Sequence, residues 1–384
     1  MSGDKELLEL GRLDSSVLAR NYDCITRGKN FSVENPKSVM WFLPVVTHAL
    51  KGGVRTVFTF AEELSKKYNT LNYFVIYSFN GKDFNSESLS TSLRLNFPNL
   101  RFLVIKQRRG VDSIETLPSS QIAFCTLWTT AFLLAKYNNT LRKYYFMQDY
   151  EPMFYQGGPV YMMIEQTYRL GFSCIANTPG VGNKYKQYSN DVTTFFPGVD
   201  HQTFYPAQRD SGARPHKIVF YGRPDNPRNC FSLGIQILLE VKAELGDDVE
   251  IYSVGAEWSE KKQGVEGKIK NLGLLNSVEE VAQLYRASDL GLVFMATPHP
   301  SYQPIEYMAS GCVVATNVNE PNSWLLNNEN ALLLEPLPGV ASNRICNLLR
   351  DSKKMSAFKR AGLETVKKYR WSEAFEKFDK RISL

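Results

Sequence analysis

The chain has 384 residues, length for two or three domains at roughly 150 residues each. Its 43% hydrophobic and 22% charged residues are ordinary for a globular protein and exclude disorder, a collagen-like fibre and a disulfide scaffold. Lys+Arg 45 against Asp+Glu 39 leave a formal charge of +6, compatible with nucleic acid, anionic small molecules or an anionic membrane surface, though no nucleic-acid-binding signature is present.

Apolar runs of strand length recur in the first half, at Val39–Val46, Tyr73–Ser78, Phe102–Lys106, Ile122–Cys125, Tyr144–Met147 and Cys174–Ala176. Helical patterns at Val54–Tyr68 and Trp128–Tyr137 fall between them. The runs are continuously apolar rather than alternating, as expected of parallel strands covered on both faces. Asp200–Pro215, with Pro206, Gly212 and Pro215 among polar residues, reads as a connector. The pattern then restarts with strands at Lys217–Tyr221, Val249–Val254, Leu290–Met295 and Val313–Thr316. Helices are expected at Ser232–Leu245, Ser277–Arg286 and Pro304–Ser310, and from Val340 onward, with Ser356–Leu384 amphipathic. The expected fold class is α/β, two Rossmann-like doubly wound domains facing a central cleft. Ligands in such sheets bind beyond the carboxyl ends of the strands, so the loops there carry the functional reading.

Four such segments stand out. His48–Val54 places Gly52 and Gly53 between a strand and a helix, where a backbone can approach an anion or a sugar. Gly222–Asn229 carries Arg223 and Arg228 after the first strand of the second half, and arginine can fork onto phosphate oxygens. Pro298–Thr316 leads through Ser301, Tyr302 and Gln303 into a short helix bearing Glu306. Phe195–Pro206 contains Gly198, which suits a turn, and Asp200, which can cap one.

Taken together, Gly198-Val199-Asp200 with Phe204 and Pro206, the Gly222-Arg223 loop and Glu306–Thr316 resemble the retaining GT-B glycosyltransferases of family 4. Gln148-Asp149-Tyr150-Glu151-Pro152 and Pro298–Tyr302 are similar to rhamnosyltransferases that build rhamnan and surface-layer glycans. The resemblance implies an acceptor-side domain over 1–200, a nucleotide-sugar domain over 201–365, and a C-terminal helix over 366–384 that returns to the first. It implies transfer of L-rhamnose from dTDP-L-rhamnose to a hydroxyl of a glycan acceptor, possible on a lipid carrier, with retention at the anomeric carbon. Arg223 and Arg228 would neutralise the diphosphate, and Glu306 would hold the ribose. Gly222, Gly273, Leu275, Ser301, Tyr302 and Gln303 would complete the nucleotide site. Gly52, Gly53, Gln148, Asp149 and His299 would face the donor sugar and acceptor. Asp149 and Glu151 would orient or deprotonate the acceptor hydroxyl, or cap the following turn. Two departures from the family pattern are present: Pro298 stands where the first glutamate of an E-x7-E pair belongs, and Gln148-Asp149 where a histidine is common.

No Asp-x-Asp motif occurs at the expected donor site, so no metal or other cofactor is expected. The six cysteines show no C-x-x-C spacing and read as free thiols. Met1–Arg20 has no apolar run and no stretch reaches the ~20 apolar residues of a membrane span, so the expected location is the cytoplasm. Lys106-Gln107-Arg108-Arg109 reads first as a solvated charge cluster, with contact to anionic headgroups of a membrane as the alternative, and nucleic acid is not an expected partner. A hexosyltransferase using a UDP- or GDP-sugar and a non-catalytic two-lobed sugar-binding protein are the alternatives.

Overall fold

The computed structural model describes residues 2–46, 48–50, 52–207, 214–275, 277–299 and 301–383. Lys51, Gly212 and Pro300, which belong to the segments named above, lie outside the described residues. The chain divides into two compact units, Met1–Phe196 with Ala374–Leu384, and Pro197–Glu373.

In the first unit the strands are β1 (Ser38–Pro44), β2 (Leu71–Ser78), β3 (Phe102–Arg108), β4 (Ser120–Cys125), β5 (Thr140–Met147), β6 (Ser173–Asn177) and β7 (Val192–Phe195). They form one parallel sheet in the order β3-β2-β1-β4-β5-β6-β7. β1 is buried without a break from Val39 to Leu43, the pattern of a strand covered on both faces. One face carries a core built from Phe42, Tyr145, Trp128 and Tyr168. On the other, the last turns of the chain complete an aromatic cluster: the Phe378 ring lies 4.7 Å from Phe60, 5.7 Å from Phe124 and 6.2 Å from Trp41. Asp379 accepts from Lys67 Nζ at 2.7 Å and from the Tyr68 hydroxyl at 3.0 Å, anchoring the same turns.

The second unit holds β8 (His216–Tyr221), β9 (Val249–Val254), β10 (Lys270–Asn271), β11 (Leu290–Val293), β12 (Val313–Asn317) and β13 (Ala331–Leu334), again all parallel, in the order β10-β9-β8-β11-β12-β13. Helices cover both faces. Ile218, Phe220 and Leu292 pack with Leu238 and Ile345 on one side. Val219 and Val293 pack with Tyr285 and Tyr307 on the other.

Strands β7, β10 and β13 were not expected from the sequence. β7 is Val-Thr-Thr-Phe at a sheet edge and β10 has two residues, so neither offers an apolar run to recognise. The amphipathic stretch from Ser356 onward falls on two helices, Ser352–Val366 and Trp371–Ser383.

Gly198 illustrates a role that spacing cannot reveal. Its φ is not in the left-handed region. A Cβ there would lie 2.2 Å from the Trp371 nitrogen and 2.4 Å from the Arg370 carbonyl carbon, so glycine is needed for backbone-to-backbone approach rather than for a turn. The Val199 N–H donates to the Tyr369 carbonyl beside it at 3.3 Å. Gly198→Ala is therefore expected to lower stability by about 1–3 kcal/mol, the usual cost of overpacking, read as a fall in the thermal midpoint of unfolding. An unchanged midpoint would mean that the 370–371 segment is not held here.

Candidate functional site

A doubly wound sheet opens a crevice where the strand order reverses. In the second unit that point lies between β8 and β11. The loop after β8 begins at Gly222, whose N–H donates to Val254 O at 3.0 Å and whose α-carbon lies so near Ser253 that a Cβ would sit 2.4 Å from Oγ. Arg223 follows, its guanidinium donating to the Tyr221 hydroxyl at 3.3 Å. Arg228 lies on a 3-10 turn, Pro227–Asn229, that leads through Cys230 (φ 50) into the fifteen-residue helix Phe231–Leu245. The loop after β11 is tied to it: the Ala296 N–H donates to Arg228 O at 2.8 Å.

His299 lies in that second loop. Its Nδ1 is sealed from solvent with no hydrogen-bond partner among the described residues. Burial, reinforced by the Arg228 and Arg223 guanidiniums, pushes the imidazole down to about 3, so it is neutral near pH 7. The sequence placed both arginines and His299 in separate motifs, and the fold brings them within electrostatic reach of one another. A neutral imidazole adds no positive charge to an anion site but can exchange hydrogen bonds with hydroxyl groups.

The sign of the linkage is clear. The folded protein binds fewer protons at His299 than the unfolded chain between pH 6.5 and about 3, so stability is fully present above pH 6.5 and is lost as pH falls through that window. Thermal unfolding from pH 7 to pH 4 is expected to show a smaller drop for His299→Gln than for the wild type. Equal drops would mean that His299 is protonated at no cost.

Two residues that the sequence did not single out hold the β11 loop. Asn317 Nδ2 donates to Met295 O at 2.9 Å while its Oδ1 accepts the Met295 N–H at 2.9 Å. Asn319 Nδ2 lies 2.9 Å from Thr297 O and 3.4 Å from His299 O. Asn317 ends β12 and Asn319 follows it, and that place at a strand's carboxyl end is the only signal that could have found them.

Ser301 is buried and its hydroxyl donates to Gln303 Oε1, while Tyr302 stands at the N-cap of the helix Gln303–Ala309. Glu306 is in the first turn of that helix, half-buried, and its carboxylate helps to push up the Tyr285 and Tyr307 hydroxyls, which are raised chiefly by burial. Gly273 has φ +67, and its α-carbon faces the Glu257 carboxylate so closely that a Cβ would lie 1.9 Å from Oε1. The Leu274 N–H donates to the same oxygen at 3.1 Å. Glu257 thus covers the backbone expected to meet the nucleotide base, beside half-buried Leu275.

In the first unit, Gly53 opens the helix Gly52–Tyr68 and Gln148 ends just beyond β5. The two meet: a Cβ on Gly53 would lie 2.7 Å from Gln148 Oε1. Gly52 has φ +45, which favours glycine. Asp149 is buried, and its Oδ1 accepts the Tyr150 N–H at 2.8 Å. Glu151 is buried too, 2% exposed. Its Oε2 accepts the Trp128 N–H at 2.6 Å and the Tyr145 hydroxyl at 2.8 Å. That geometry is a helix cap, and the capped helix is Trp128–Lys136 after β4 rather than the turn that follows Glu151.

The basic segment on β3 is paired locally. Lys106 Nζ is 3.1 Å from Asp83, Arg108 takes both oxygens of Asp112 at 3.0 and 3.1 Å, and Arg109 donates to Glu9 O at 3.1 Å. No helix among the described residues is long and apolar enough to cross a membrane. The six cysteines are free, and Cys125, Cys174 and Cys312 are buried.

Comparison with known proteins agrees with this architecture. Sucrose-phosphate synthase from Thermosynechococcus elongatus superposes with a TM-score of 0.69 at 14% identity, covering 90% of this chain and 98% of that one. Anabaena HepE in complex with UDP gives 0.70 at 15% identity, covering 90% and 99%. A TarM variant of S. aureus, in complex with fondaparinux, alpha-GlcNAc-glycerol and UDP, gives 0.67 at 10% identity, covering 90% and 99%. The chain therefore has the GT-B fold.

Within the second unit, residues 216–345 match the family described as WsaF, C-terminal domain. The O-antigen biosynthesis protein RfbC of Myxococcus xanthus is 35% identical over 348 residues, 90% of this chain. The chain spans 27% of the length of that relative.

Proposed function

We infer that the chain is a glycosyltransferase of surface-polysaccharide assembly, moving L-rhamnose from dTDP-L-rhamnose to a hydroxyl of a growing glycan with retention at the anomeric carbon. The observation that carries the reading is the meeting of Arg223, Arg228 and His299 where the strand order of the second sheet reverses. Two fixed cations there suit a diphosphate, and a neutral imidazole beside them suits a sugar hydroxyl. The match to the WsaF C-terminal domain and the likeness to an O-antigen biosynthesis protein support polysaccharide assembly as the setting.

In this reading the anomeric carbon–phosphate oxygen bond breaks as the acceptor oxygen bonds the same carbon. The leaving diphosphate takes up the acceptor proton. Arg223, Arg228, the N-terminus of the helix Phe231–Leu245 and the amides of Ser301, Tyr302 and Gln303 meet the charge that develops on the departing oxygen. Glu306 holds the ribose, and Gly222, Gly273 and Leu275 line the nucleoside. His299 takes over sugar contacts from the glutamate that Pro298 replaces. Gln148, Gly53 and Gly52 position the acceptor, and Asp149 is the carboxylate that orients its hydroxyl. The charge is met without a divalent ion, and the reaction takes place on the cytoplasmic side of the membrane.

HepE carries UDP, which makes uracil the rival base. Thermal-shift titration with dTDP, UDP and GDP is expected to rank dTDP first, and dTDP-rhamnose turnover is expected to persist in EDTA. Tighter binding of UDP would replace the donor in this reading. Loss of turnover restored only by Mg²⁺ or Mn²⁺ would overturn the metal-free part.

A further inference from the structure

We propose that a cavity in the first unit, at the carboxyl ends of β1, β2 and β4, binds a saccharide ring of the acceptor lying behind the ring that reacts. The proposal rests on the glycosyl-transfer reading and adds a subsite to it.

The sheet order places β1 beside β4, with β2 and β3 on one side and β5 to β7 on the other, so the first unit has its own crevice between β1 and β4. The cavity occupies that crevice: Pro44 and Val45 end β1, Ser78 and Phe79 end β2, and Leu127–Thr129 follow β4. Its volume is about 430 Å³, within the range of small-ligand sites.

The lining differs in kind from the second unit's crevice. Where Arg223 and Arg228 stand there, this one presents apolar and aromatic faces, with Phe154 39% and Val45 45% exposed and Phe79 and Phe84 half-buried. Exposed apolar side chains gathered in a concavity mark a binding site. Asn80, Lys82 and Asp83 form a polar rim. A sugar ring has an apolar C–H face and an edge of hydroxyls, and this mixture matches it. A lipid chain would gain nothing from the rim.

Both walls are fixed before any ligand arrives. On one, Asn80 Oδ1 accepts the Lys82 N–H at 3.1 Å, the Ser78 hydroxyl lies 2.7 Å from Lys82 O, and Asp83 is paired with Lys106. On the other, the Glu151 cap fixes the Trp128 backbone, and the Trp128 ring meets Tyr155 edge-on at 5.8 Å. Glu151 also begins the 3-10 turn that ends at Phe154. Phe154 of the lining therefore lies five residues along the chain from Asp149, so the cavity adjoins the segment assigned to the acceptor in this reading.

The test compares binding of methyl α-L-rhamnoside, an α-linked rhamnose trisaccharide and dodecyl α-L-rhamnoside, with dTDP and UDP as controls. The wild type is expected to bind the trisaccharide about tenfold more tightly than the methyl glycoside. Phe154→Ala, and Val45→Trp, which fills the cavity from its rim without removing packing, are expected to bring that ratio to about one while nucleotide binding and thermal midpoint stay put. An aromatic anchor removed from a binding pocket commonly costs a factor of this size. A trisaccharide preference that is absent in the wild type, or unchanged in both folded variants, would overturn the proposal. So would an effect seen only with the dodecyl glycoside, which would make the cavity a lipid site. Failure of every nucleotide to bind the wild type would instead remove the glycosyl-transfer reading itself.

Discussion

Replacing Arg228 by alanine is expected to slow sugar transfer by about two to three orders of magnitude, the cost of losing one preorganised donor to a departing oxyanion, about 2.7–4 kcal/mol of barrier. Three features single out Arg228. It precedes the helix Phe231–Leu245, whose N-terminus favours negative charge. Its carbonyl takes the Ala296 N–H, so the backbone of both loops stays joined when only the side chain is removed. Its guanidinium is near enough to depress the His299 imidazole, ahead of Arg223 in effect. Arg228→Lys keeps a cation but loses the planar fork, and an intermediate rate is expected. Measured on dTDP-rhamnose, the loss should fall on kcat, with the thermal midpoint held. A variant with wild-type kcat would place the diphosphate elsewhere.

Glu151→Ala is expected to cost about 2–6 kcal/mol of stability in urea denaturation. The substitution leaves the Trp128 N–H and the Tyr145 hydroxyl buried without their acceptor, at about 1–3 kcal/mol each. It also removes an anion from the N-terminus of the helix Trp128–Lys136. Glu151→Gln separates a cap from a proton acceptor. The amide keeps the volume and an oxygen, so a capping residue loses part of its stability and leaves the rate per folded molecule intact. A proton acceptor would lose the rate and keep the stability. The Trp128 and Tyr145 contacts predict the first outcome.

The same contacts show where sequence reading was sufficient and where it was not. Strands such as β1 and β4 were legible because a strand buried on both faces must be apolar at consecutive positions, and Val39–Leu43 and Ile122–Cys125 are. The edge strand β7 was not, because its Val-Thr-Thr-Phe pattern has no such run. Arg223 and Arg228 were readable as two cations in the loop after one strand, and the structure adds that both lie within electrostatic reach of His299. Asn317 and Asn319 were not, since an asparagine at or just past a strand's end is common and only its carbonyl partners reveal a clamp. Glu151 was readable as an acid but not as the cap of a helix that begins twenty-three residues earlier.

What the sequence determined by itself is the α/β class, the two-part organisation and the identity of the charged loops, because these follow from local apolar periodicity and from residue chemistry. Tertiary structure decided the rest. It made His299 neutral by burying its Nδ1 beside two guanidiniums, turned Gly198 from a turn residue into a point of backbone contact, and gave Glu151 to a helix cap. It also assembled an aromatic cavity from three strand ends that the sequence keeps far apart. Each of these depends on which groups share a low-dielectric or close-packed space, and contacts between residues distant in the chain, not neighbours along it, fix that.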